Sequence, residues 1–222
     1  MPHAAAAISN PALHGHHGTP AVAASNLFEV VTKDAGMTVS RADGELDGIP
    51  IDRNRTQAVF QGITAKELCA YFADTKVKMD WEVAVESCRL LEDLPELSAC
   101  LYTLNMKRVW PSAARNCVLL SQIVQLGPGE WLCHTDSIDH PQIPKGDSMV
   151  RVVVQSSVFA KTVVRPGVVG EPTRADISCE LDYYALVNPG GWAPPSVVSA
   201  VSRREFPKTL RSVSWNNVRC AE

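Results

Sequence analysis

The sequence predicts an α+β fold in which a curved, mainly antiparallel sheet is closed by one long C-terminal helix. Strand-type and helix-type patterns are segregated along the chain instead of alternating, and the last segment changes to helical spacing. No internal repeat with a period of about 20 to 50 residues is present, which excludes a solenoid or a propeller. Because a curved sheet closed by a helix encloses a cavity, the fold predicts an internal binding site.

Composition and charge narrow the possible functions. The chain has 222 residues, of which 45 % are hydrophobic and 20 % charged, as is ordinary for a soluble globular protein. The chain has 21 Lys and Arg and 24 Asp and Glu, so its net charge is −3. This net charge produces no field strong enough to attract a polyanion. No apolar run reaches the ~18 residues that a membrane-spanning helix needs. We therefore expect one soluble domain that binds no nucleic acid.

The N-terminal segment is rich in Ala and His. It contains no Lys or Arg, and the HGHHG run of residues 14–18 interrupts what would be the apolar part of a signal peptide. Histidines in such a Gly-rich segment have no neighbouring groups to orient them as ligands, so we predict no metal site. The sequence predicts a disordered tail over residues 1–25 and one domain over residues 26–222.

Cysteines are scattered along the chain without CxxC spacing, and most lie inside apolar runs. An odd number of buried thiols is typical of a reducing compartment, so we expect a cytoplasmic protein. The residues are Cys69, Cys88, Cys100, Cys117, Cys133, Cys179 and Cys220.

The domain begins with three predicted strands. Apolar and polar residues alternate over residues 27–32 and 37–41, and the turn-forming residues 33–36 lie between them, which is typical of a hairpin. Residues 52–62 continue the β-type pattern and predict the third strand.

A helix follows the third strand. Thr64 and Glu67 have the Ser/Thr-x-x-Glu spacing of a helix N-terminus, and Leu68 and Phe72 follow at helical spacing. We predict a helix of about three turns, then a polar, partly helical stretch over residues 77–86.

Six runs of β-prone apolar residues come next, separated by turns rich in Pro, Gly or Asn. The last run alternates regularly, which places Tyr183 among aliphatic side chains on the inward face. The runs cover residues 88–91, 99–109, 117–126, 131–138, 149–164 and 177–187.

The final segment predicts an amphipathic helix over about residues 195–215. Its apolar residues recur at helical spacing after a Pro start, and Pro207 should kink it. Its opposite face is basic and carries Arg203, Arg204, Lys208 and Arg211.

The sequence lacks the motifs of common enzymes, namely GxSxG, the P-loop, GxGxxG and HExxH. Cys133 and His134 are neighbours on a predicted strand, so their side chains point to opposite faces and cannot act as nucleophile and base. A Cys/His mechanism would need distant partners, such as Cys117 or Cys179 with His140. We expect inert buried thiols, no enzymatic activity and no cofactor.

Two tryptophans lie in predicted turns. Trp110 follows Lys107 and Arg108, and Trp192 stands in a Pro- and Gly-rich run. A ring beside cations is typical of sites that meet an anionic membrane surface. The alternative is that either ring folds back onto the core.

Five short segments together resemble START lipid-transfer domains, most closely the ceramide-binding members of the family. The resemblance extends from about residue 27 to residue 213. It implies a helix-grip fold, in which a curved antiparallel sheet and a long C-terminal helix enclose one lipid without a chemical reaction. The segments are DWE at 80–82, KRVWPSAARN at 107–116, SIDH at 137–140, VNPGGWAP at 187–194 and REFPK at 204–208.

The resemblance also implies site residues. The pocket glutamate of the family falls on Glu82 and its pocket tyrosine on Tyr183. Its membrane-inserting residues fall on Trp110 and Pro194, with Trp192 close to Pro194. The resemblance therefore implies a peripheral and transient contact between the cavity mouth and a membrane surface.

Three pocket positions differ from the ceramide-binding pattern. Leu104 replaces a glutamine, with Thr103 as an alternative for that position, Thr135 replaces an asparagine, and Leu119 replaces a second tyrosine. Each lost partner would leave a ligand group unsatisfied at a cost of about 1–3 kcal/mol. Lys78 occupies the place of an arginine that binds phosphate in phospholipid-binding relatives. We expect a lipid with few polar groups, diacylglycerol or a sterol, with ceramide and phospholipid as alternatives.

The function predicted by these observations is binding of one hydrophobic lipid and its transfer between membranes, with Glu82 holding a hydroxyl-type headgroup. The alternative for Glu82 is a salt bridge to Lys78, four residues earlier on the same helical face. Two other functions stay open: a helix-grip enzyme of cyclase or hydrolase type with Glu82 or His140 as general base, or a lipid-regulated sensor or scaffold.

Overall fold

The computed structural model describes residues 28–34, 36–46, 49–108, 112–146 and 149–191. The predicted tail over residues 1–25 and the predicted C-terminal helix lie outside these residues. The described part contains the helices α1 (Ala65–Ala73) and α2 (Lys78–Trp81) and ten strands, β1 (Glu29–Asp34), β2 (Met37–Leu46), β3 (Ile49–Gln61), β4 (Val85–Leu94), β5 (Ala99–Met106), β6 (Arg115–Gly127), β7 (Glu130–Ser137), β8 (Val150–Arg151), β9 (Val153–Val164) and β10 (Ile177–Asn188).

The strands form one sheet in the order β1-β2-β3-β10-β9-β7-β6-β5-β4, and all neighbours on this path are antiparallel. Only β8 lies off the path, paired in parallel with β6. The last described strand therefore lies inside the sheet, because β10 pairs with β3 on one side and β9 on the other. The antiparallel sheet predicted from the sequence is confirmed, whereas the closing helix stays a prediction.

The predicted strand pattern is confirmed with one difference. The hairpin is formed by β1 and β2, and the third strand is β3. The run over residues 149–164 is not one strand, because the backbone N–H groups of Val150 and Val152 donate to the carbonyls of Ala114 and Asn116 at 2.8 Å. These bonds turn β8 toward β6 and leave β9 to pair with β7 and β10.

Helix α1 begins where the Thr64 and Glu67 spacing predicts it. The Thr64 Oγ1 accepts from the Glu67 backbone N–H at 3.3 Å, and the Glu67 Oε2 accepts from the Thr64 backbone N–H at 2.8 Å. This reciprocal capping satisfies two backbone donors that have no partner inside the helix. The helix has nine residues and is shorter than the three turns predicted.

The loop between β9 and β10 is fastened to the start of α1. The Arg174 guanidinium forms an ion pair with Glu67 and also donates to the Gly62 carbonyl oxygen at 3.1 Å. The hydrogen bond from Arg174 is the main cause that lowers the pKa of Glu67 to about 2, and the bonds from Thr64 add to it.

Two apolar clusters fill the inner face of the sheet. The first packs α1 and α2 against β7, β9 and β10, where Cys179, Leu181 and Ala185 are buried at alternate positions. The second lies over β5 and β6 and contains Val85, Tyr102, Leu104, Cys117, Leu119 and Val152. A small cavity lies where the two clusters meet.

The predicted buried thiols are confirmed for four cysteines. Cys69, Cys117, Cys133 and Cys179 are buried and free, and burial raises the pKa of the Cys117 and Cys179 thiols to about 12. Such thiols stay protonated at neutral pH and are poor nucleophiles. Cys88 and Cys100 are free and partly buried, and Cys220 lies outside the described residues.

No helix in the described ranges is both long enough and apolar enough to cross a bilayer.

Candidate functional site

A small cavity of about 30 Å³ lies on the inner face of the sheet, beside α2. This free volume is enough for roughly two water molecules, or for a small polar group such as a hydroxyl. Its walls come from both helices and five strands, and mix aromatic, aliphatic and polar side chains. They are Phe72, Lys78, Trp81, Glu82, Tyr102, Leu119, Cys133, Thr135, Val154, Ser156, Val158 and Tyr183.

An aromatic group forms one wall of the cavity. Phe72 at the end of α1 makes an edge contact with Trp81 of α2, with ring centroids 4.9 Å apart. Phe72 also contacts Tyr183 of β10 at 5.7 Å. Edge and tilted contacts of this kind hold rings in fixed orientations, so the wall joins both helices to β10.

The Glu82 carboxyl group follows the last residue of α2 and lines the cavity. The backbone N–H of Glu82 donates to the Lys78 carbonyl oxygen at 2.9 Å, and this bond ends the helix. Burial raises the pKa of the carboxyl group, and the positive charge of Lys78 only partly opposes this effect. Within the described ranges the carboxyl oxygens have no hydrogen bond or ion pair.

Lys78 does not neutralise Glu82 through a salt bridge. Its side chain is 5 % exposed, and its ammonium donates to the Phe72 carbonyl oxygen at 2.6 Å. The same ammonium lies over the rings of Trp81 and Tyr102, at 4.7 and 5.2 Å from their centroids. The salt-bridge alternative for Glu82 is therefore wrong, and the lysine instead fixes the aromatic wall.

Two tyrosines reach the cavity from opposite parts of the sheet. Burial and the nearby Glu82 raise the pKa of Tyr183, while a hydrogen bond with the Ser156 side chain opposes the shift. Tyr102 of β5 is 0 % exposed, and burial likewise raises the pKa of its hydroxyl. No partner for the Tyr102 hydroxyl exists among the described residues.

Four of the predicted ligand-binding residues, Glu82, Tyr183, Thr135 and Leu119, line this cavity. The Thr135 hydroxyl is bonded to the Ser121 hydroxyl at 2.9 Å, so it is already paired. Their convergence places the four side chains where one ligand could touch all of them, and their role in binding stays a prediction.

Leu104 lies outside the lining of the cavity. It is 1 % exposed and packs in the second apolar cluster, on the same face of β5 as Tyr102 but two residues further along. Thr103, the alternative for this position, donates its hydroxyl to the Cys117 carbonyl oxygen at 2.9 Å. The residue of β5 that reaches the cavity is therefore Tyr102, which sequence reasoning missed.

The predicted membrane-docking residues Trp110, Trp192 and Pro194 lie outside the described residues. Lys107 and Arg108, which precede Trp110 in the chain, are exposed. The Lys107 ammonium donates to the Val83 carbonyl oxygen at 2.7 Å, which ties this strand end to the segment after Glu82.

Cys133 and His134 face opposite sides of β7 in the structure. Cys133 is buried on the inner face, whereas the His134 side chain is 45 % exposed on the outer face, as the strand alternation predicts. There His134 bonds to the Ser157 hydroxyl at 2.9 Å and the Asp136 carboxylate at 2.7 Å. His140, the other candidate base, is not among the residues that line the cavity.

No group of three or more His, Cys, Asp or Glu side chains in the described part of the chain is arranged to hold a metal ion.

The antiparallel sheet bears a cavity with a carboxyl group in its lining, and comparison with known families gives the class of the protein. The family model of the START domain matches residues 28–216. The chain therefore belongs to the START domain family.

The chain is also similar to curated members of the family. It is 34 % identical to the ceramide transfer protein of Homo sapiens over 191 residues, which cover 83 % of this chain and 30 % of that protein. The match to the ceramide transfer protein of Mus musculus is 33 % over 205 residues, covering 89 % and 33 %. The chain thus spans about a third of the length of these relatives.

Solved structures share the fold. Human STARD10 superposes with a TM-score of 0.66 at 20 % identity, covering 89 % of this chain and 74 % of that one. A STAR-related lipid transfer protein from Xanthomonas axonopodis gives 0.66 at 18 %, covering 87 % and 99 %. Human StAR-related lipid transfer protein 5 gives 0.61 at 16 %, covering 89 % and 86 %.

Proposed function

We propose that the chain binds one lipid through a hydroxyl-bearing polar end held at Glu82, and transfers that lipid between membranes. The observation that carries the proposal is the Glu82 carboxyl group, which lines an aromatic-walled cavity without a partner among the described residues. A carboxyl group taken out of water costs free energy unless it is hydrogen-bonded. A ligand hydroxyl would supply the missing donor.

The relatives support a lipid as the ligand. The curated proteins that the chain resembles are ceramide transfer proteins, and two of the structural neighbours carry lipid transfer in their names. Ceramide and diacylglycerol both present a hydroxyl group beside apolar chains, and the polar end of either fits a small cavity walled in part by Leu119, Val154 and Val158. These two lipids are the leading candidates.

The proposal gives the cavity and the predicted docking residues separate roles. The polar end binds at Glu82 and Tyr183, while Trp110, Trp192 and Pro194 meet the membrane surface. In this proposal the predicted C-terminal helix acts as the gate of the domain over residues 26–222. The protein then works in the cytoplasm, with transient contact to membranes and no chemical change to the lipid.

The experiment that tests the proposal is transfer of fluorescent lipid between vesicles. Donor vesicles of phosphatidylcholine carry fluorescent ceramide, diacylglycerol or a sterol, and the rate of appearance in unlabelled acceptors is measured. We expect transfer of at least one of the three, and Glu82→Ala should weaken its binding by about 1.5–3 kcal/mol, or roughly 10- to 150-fold.

Asp80→Ala is the matched control, since Asp80 is an exposed carboxylate on the same short helix. It should leave transfer unchanged. Equal transfer by the wild type and Glu82→Ala, both folded, would contradict the role of Glu82. Absence of transfer of all three lipids would contradict the function.

A further inference from the structure

We propose that Tyr102 is a second polar contact for the lipid and donates its hydroxyl to a carbonyl oxygen of the ligand. The inference rests on the proposed function and makes it narrower. It favours lipids that carry a carbonyl group close to a hydroxyl group over sterols, whose single hydroxyl would have to pair with both protein groups.

The first observation is the state of the Tyr102 hydroxyl. The side chain is 0 % exposed and lines the cavity together with Glu82 and Tyr183. Its oxygen has no hydrogen-bond partner in the described part of the chain. A phenylalanine would fill the same space without burying an unpaired donor, so packing alone does not explain the hydroxyl.

The second observation is that the ring is held in place. In the sheet Tyr102 pairs with Leu90 of β4 and Leu119 of β6, so its backbone is fixed on both sides. The Lys78 ammonium lies 5.2 Å from the ring centroid and is itself bonded to the Phe72 carbonyl oxygen. The hydroxyl therefore stays at the cavity instead of turning toward another protein group.

The third observation concerns the other polar groups around the cavity. The Thr135 hydroxyl is paired with Ser121, the Lys78 ammonium with the Phe72 carbonyl, and Tyr183 with Ser156. Among the described lining residues this leaves the Glu82 carboxyl group and the Tyr102 hydroxyl for a ligand.

The Glu82 carboxyl group and the Tyr102 hydroxyl bind different ligand atoms. The carboxyl oxygens of Glu82 accept hydrogen bonds, and a lipid hydroxyl is a matching donor. The phenolic hydroxyl of Tyr102 donates, and the carbonyl oxygen of an ester or amide is the acceptor that lipids offer. Diacylglycerol and ceramide offer a separate group to each, whereas the single hydroxyl of a sterol would have to donate to Glu82 and accept from Tyr102 at the same time.

The experiment compares three probes in one vesicle population: fluorescent ceramide, fluorescent diacylglycerol and the fluorescent sterol dehydroergosterol, in phosphatidylcholine. The amount of each lipid extracted by the full chain is measured for the wild type and Tyr102→Phe. We expect the wild type to extract a carbonyl-bearing lipid in preference to the sterol. Tyr102→Phe should reduce extraction of that lipid about tenfold and keep extraction of the sterol within about twofold of the wild-type amount.

Tyr71→Phe is the matched control, because Tyr71 is equally buried but does not line the cavity. It should keep the wild-type preference. The ratio of two lipids in one sample does not depend on the fraction of folded protein, so a loss of stability cannot imitate the result.

Two outcomes would overturn the inference while the proposed function stands: a wild type that prefers the sterol, or a Tyr102→Phe variant with the wild-type preference. A wild type that extracts none of the three lipids would instead overturn the proposed function, and this inference with it.

Discussion

The Lys78 ammonium donates to the Phe72 carbonyl oxygen at 2.6 Å, across the junction between α1 and α2. This bond keeps the only cation that lines the cavity, among the described residues, away from an ion pair with Glu82. The carboxyl group is therefore positioned for an incoming donor while the aromatic wall is held together. An unpaired Glu82 carboxyl group favours ligand binding but lowers the stability of the ligand-free protein.

Glu82→Gln should make the ligand-free protein more stable at neutral pH. Burial raises the pKa of Glu82 in the folded state, so the protonated carboxyl group contributes to stability. This contribution is complete at pH values below the ordinary pKa of 4.5. That contribution is lost as the pH rises through the raised pKa. Gln is neutral at every pH, so the melting temperature of the variant should exceed that of the wild type at pH 7.5, by ~2–4 °C for each kcal/mol.

Thermal unfolding from pH 4 to pH 8 measures this effect. The difference between Glu82→Gln and the wild type should shrink toward pH 4, and Asp80→Asn on the same helix should show no such trend. A wild type that is more stable than Glu82→Gln at pH 7.5 would mean that the carboxylate is satisfied inside the protein.

Glu67 has the opposite pH behaviour. Because Arg174 and Thr64 lower the pKa of Glu67 to about 2, its contribution to stability is present above the ordinary value of 4.5 and is lost as the pH falls toward 2. Glu67→Ala removes both the helix cap and the partly exposed ion pair, and should cost about 1–2 kcal/mol at pH 7.

Denaturant unfolding at pH 7 and pH 3 tests this prediction. The cost of Glu67→Ala should decrease at the lower pH, and Glu67→Gln should recover part of the stability, because Gln can still cap the helix. A cost that is independent of pH would show that the charge of Glu67 plays no part.

Local chemistry made much of the fold predictable. The Thr64 and Glu67 spacing located the start of α1, because the cap needs only residues three positions apart. The alternation in β10 placed Tyr183 on the inner face, because side chains on a strand alternate between faces. In both cases the interaction is encoded within one short segment.

The point along β5 that meets the cavity could not be predicted in the same way. The β4–β5 ladder contains register shifts between Val85 and Ser87 and between Leu90 and Glu92, and such irregularities are set by pairing between distant residues. Counting along the sequence from the KRVW run therefore selected Leu104, whereas pairing places Tyr102 at the cavity and directly opposite Leu119. Tyr102 is thus the cross-strand neighbour of Leu119, the position where the resemblance implies that a tyrosine is replaced.

Leu104→Ala should therefore affect stability and leave lipid choice unchanged. Leu104 is buried in the second cluster, and removal of such a side chain costs about 2–5 kcal/mol. Leu119→Ala should cost a similar amount but also change lipid affinity, since Leu119 lines the cavity. Denaturant unfolding combined with lipid extraction separates the two effects; a shift in lipid preference for Leu104→Ala alone would contradict this assignment.

The tryptophans in the predicted docking turns should matter for transfer more than for binding. Trp110→Ala combined with Trp192→Ala should slow lipid transfer between vesicles and leave lipid binding in detergent largely intact, since interfacial rings contribute to membrane affinity. The two assays are run on the same preparation. An equal loss in both, with the protein still folded, would indicate that the rings belong to the core.

The central claim is that one lipid binds at the cavity between Glu82, Tyr102 and Tyr183. Native mass spectrometry tests it most directly, after incubation of the full chain with phosphatidylcholine vesicles that contain equal amounts of ceramide, diacylglycerol and cholesterol. We predict a wild-type complex with one ceramide or diacylglycerol per chain, and its loss in Glu82→Ala combined with Tyr102→Phe. A wild type without bound lipid, or a double variant that carries the same lipid in the same amount, would contradict the claim.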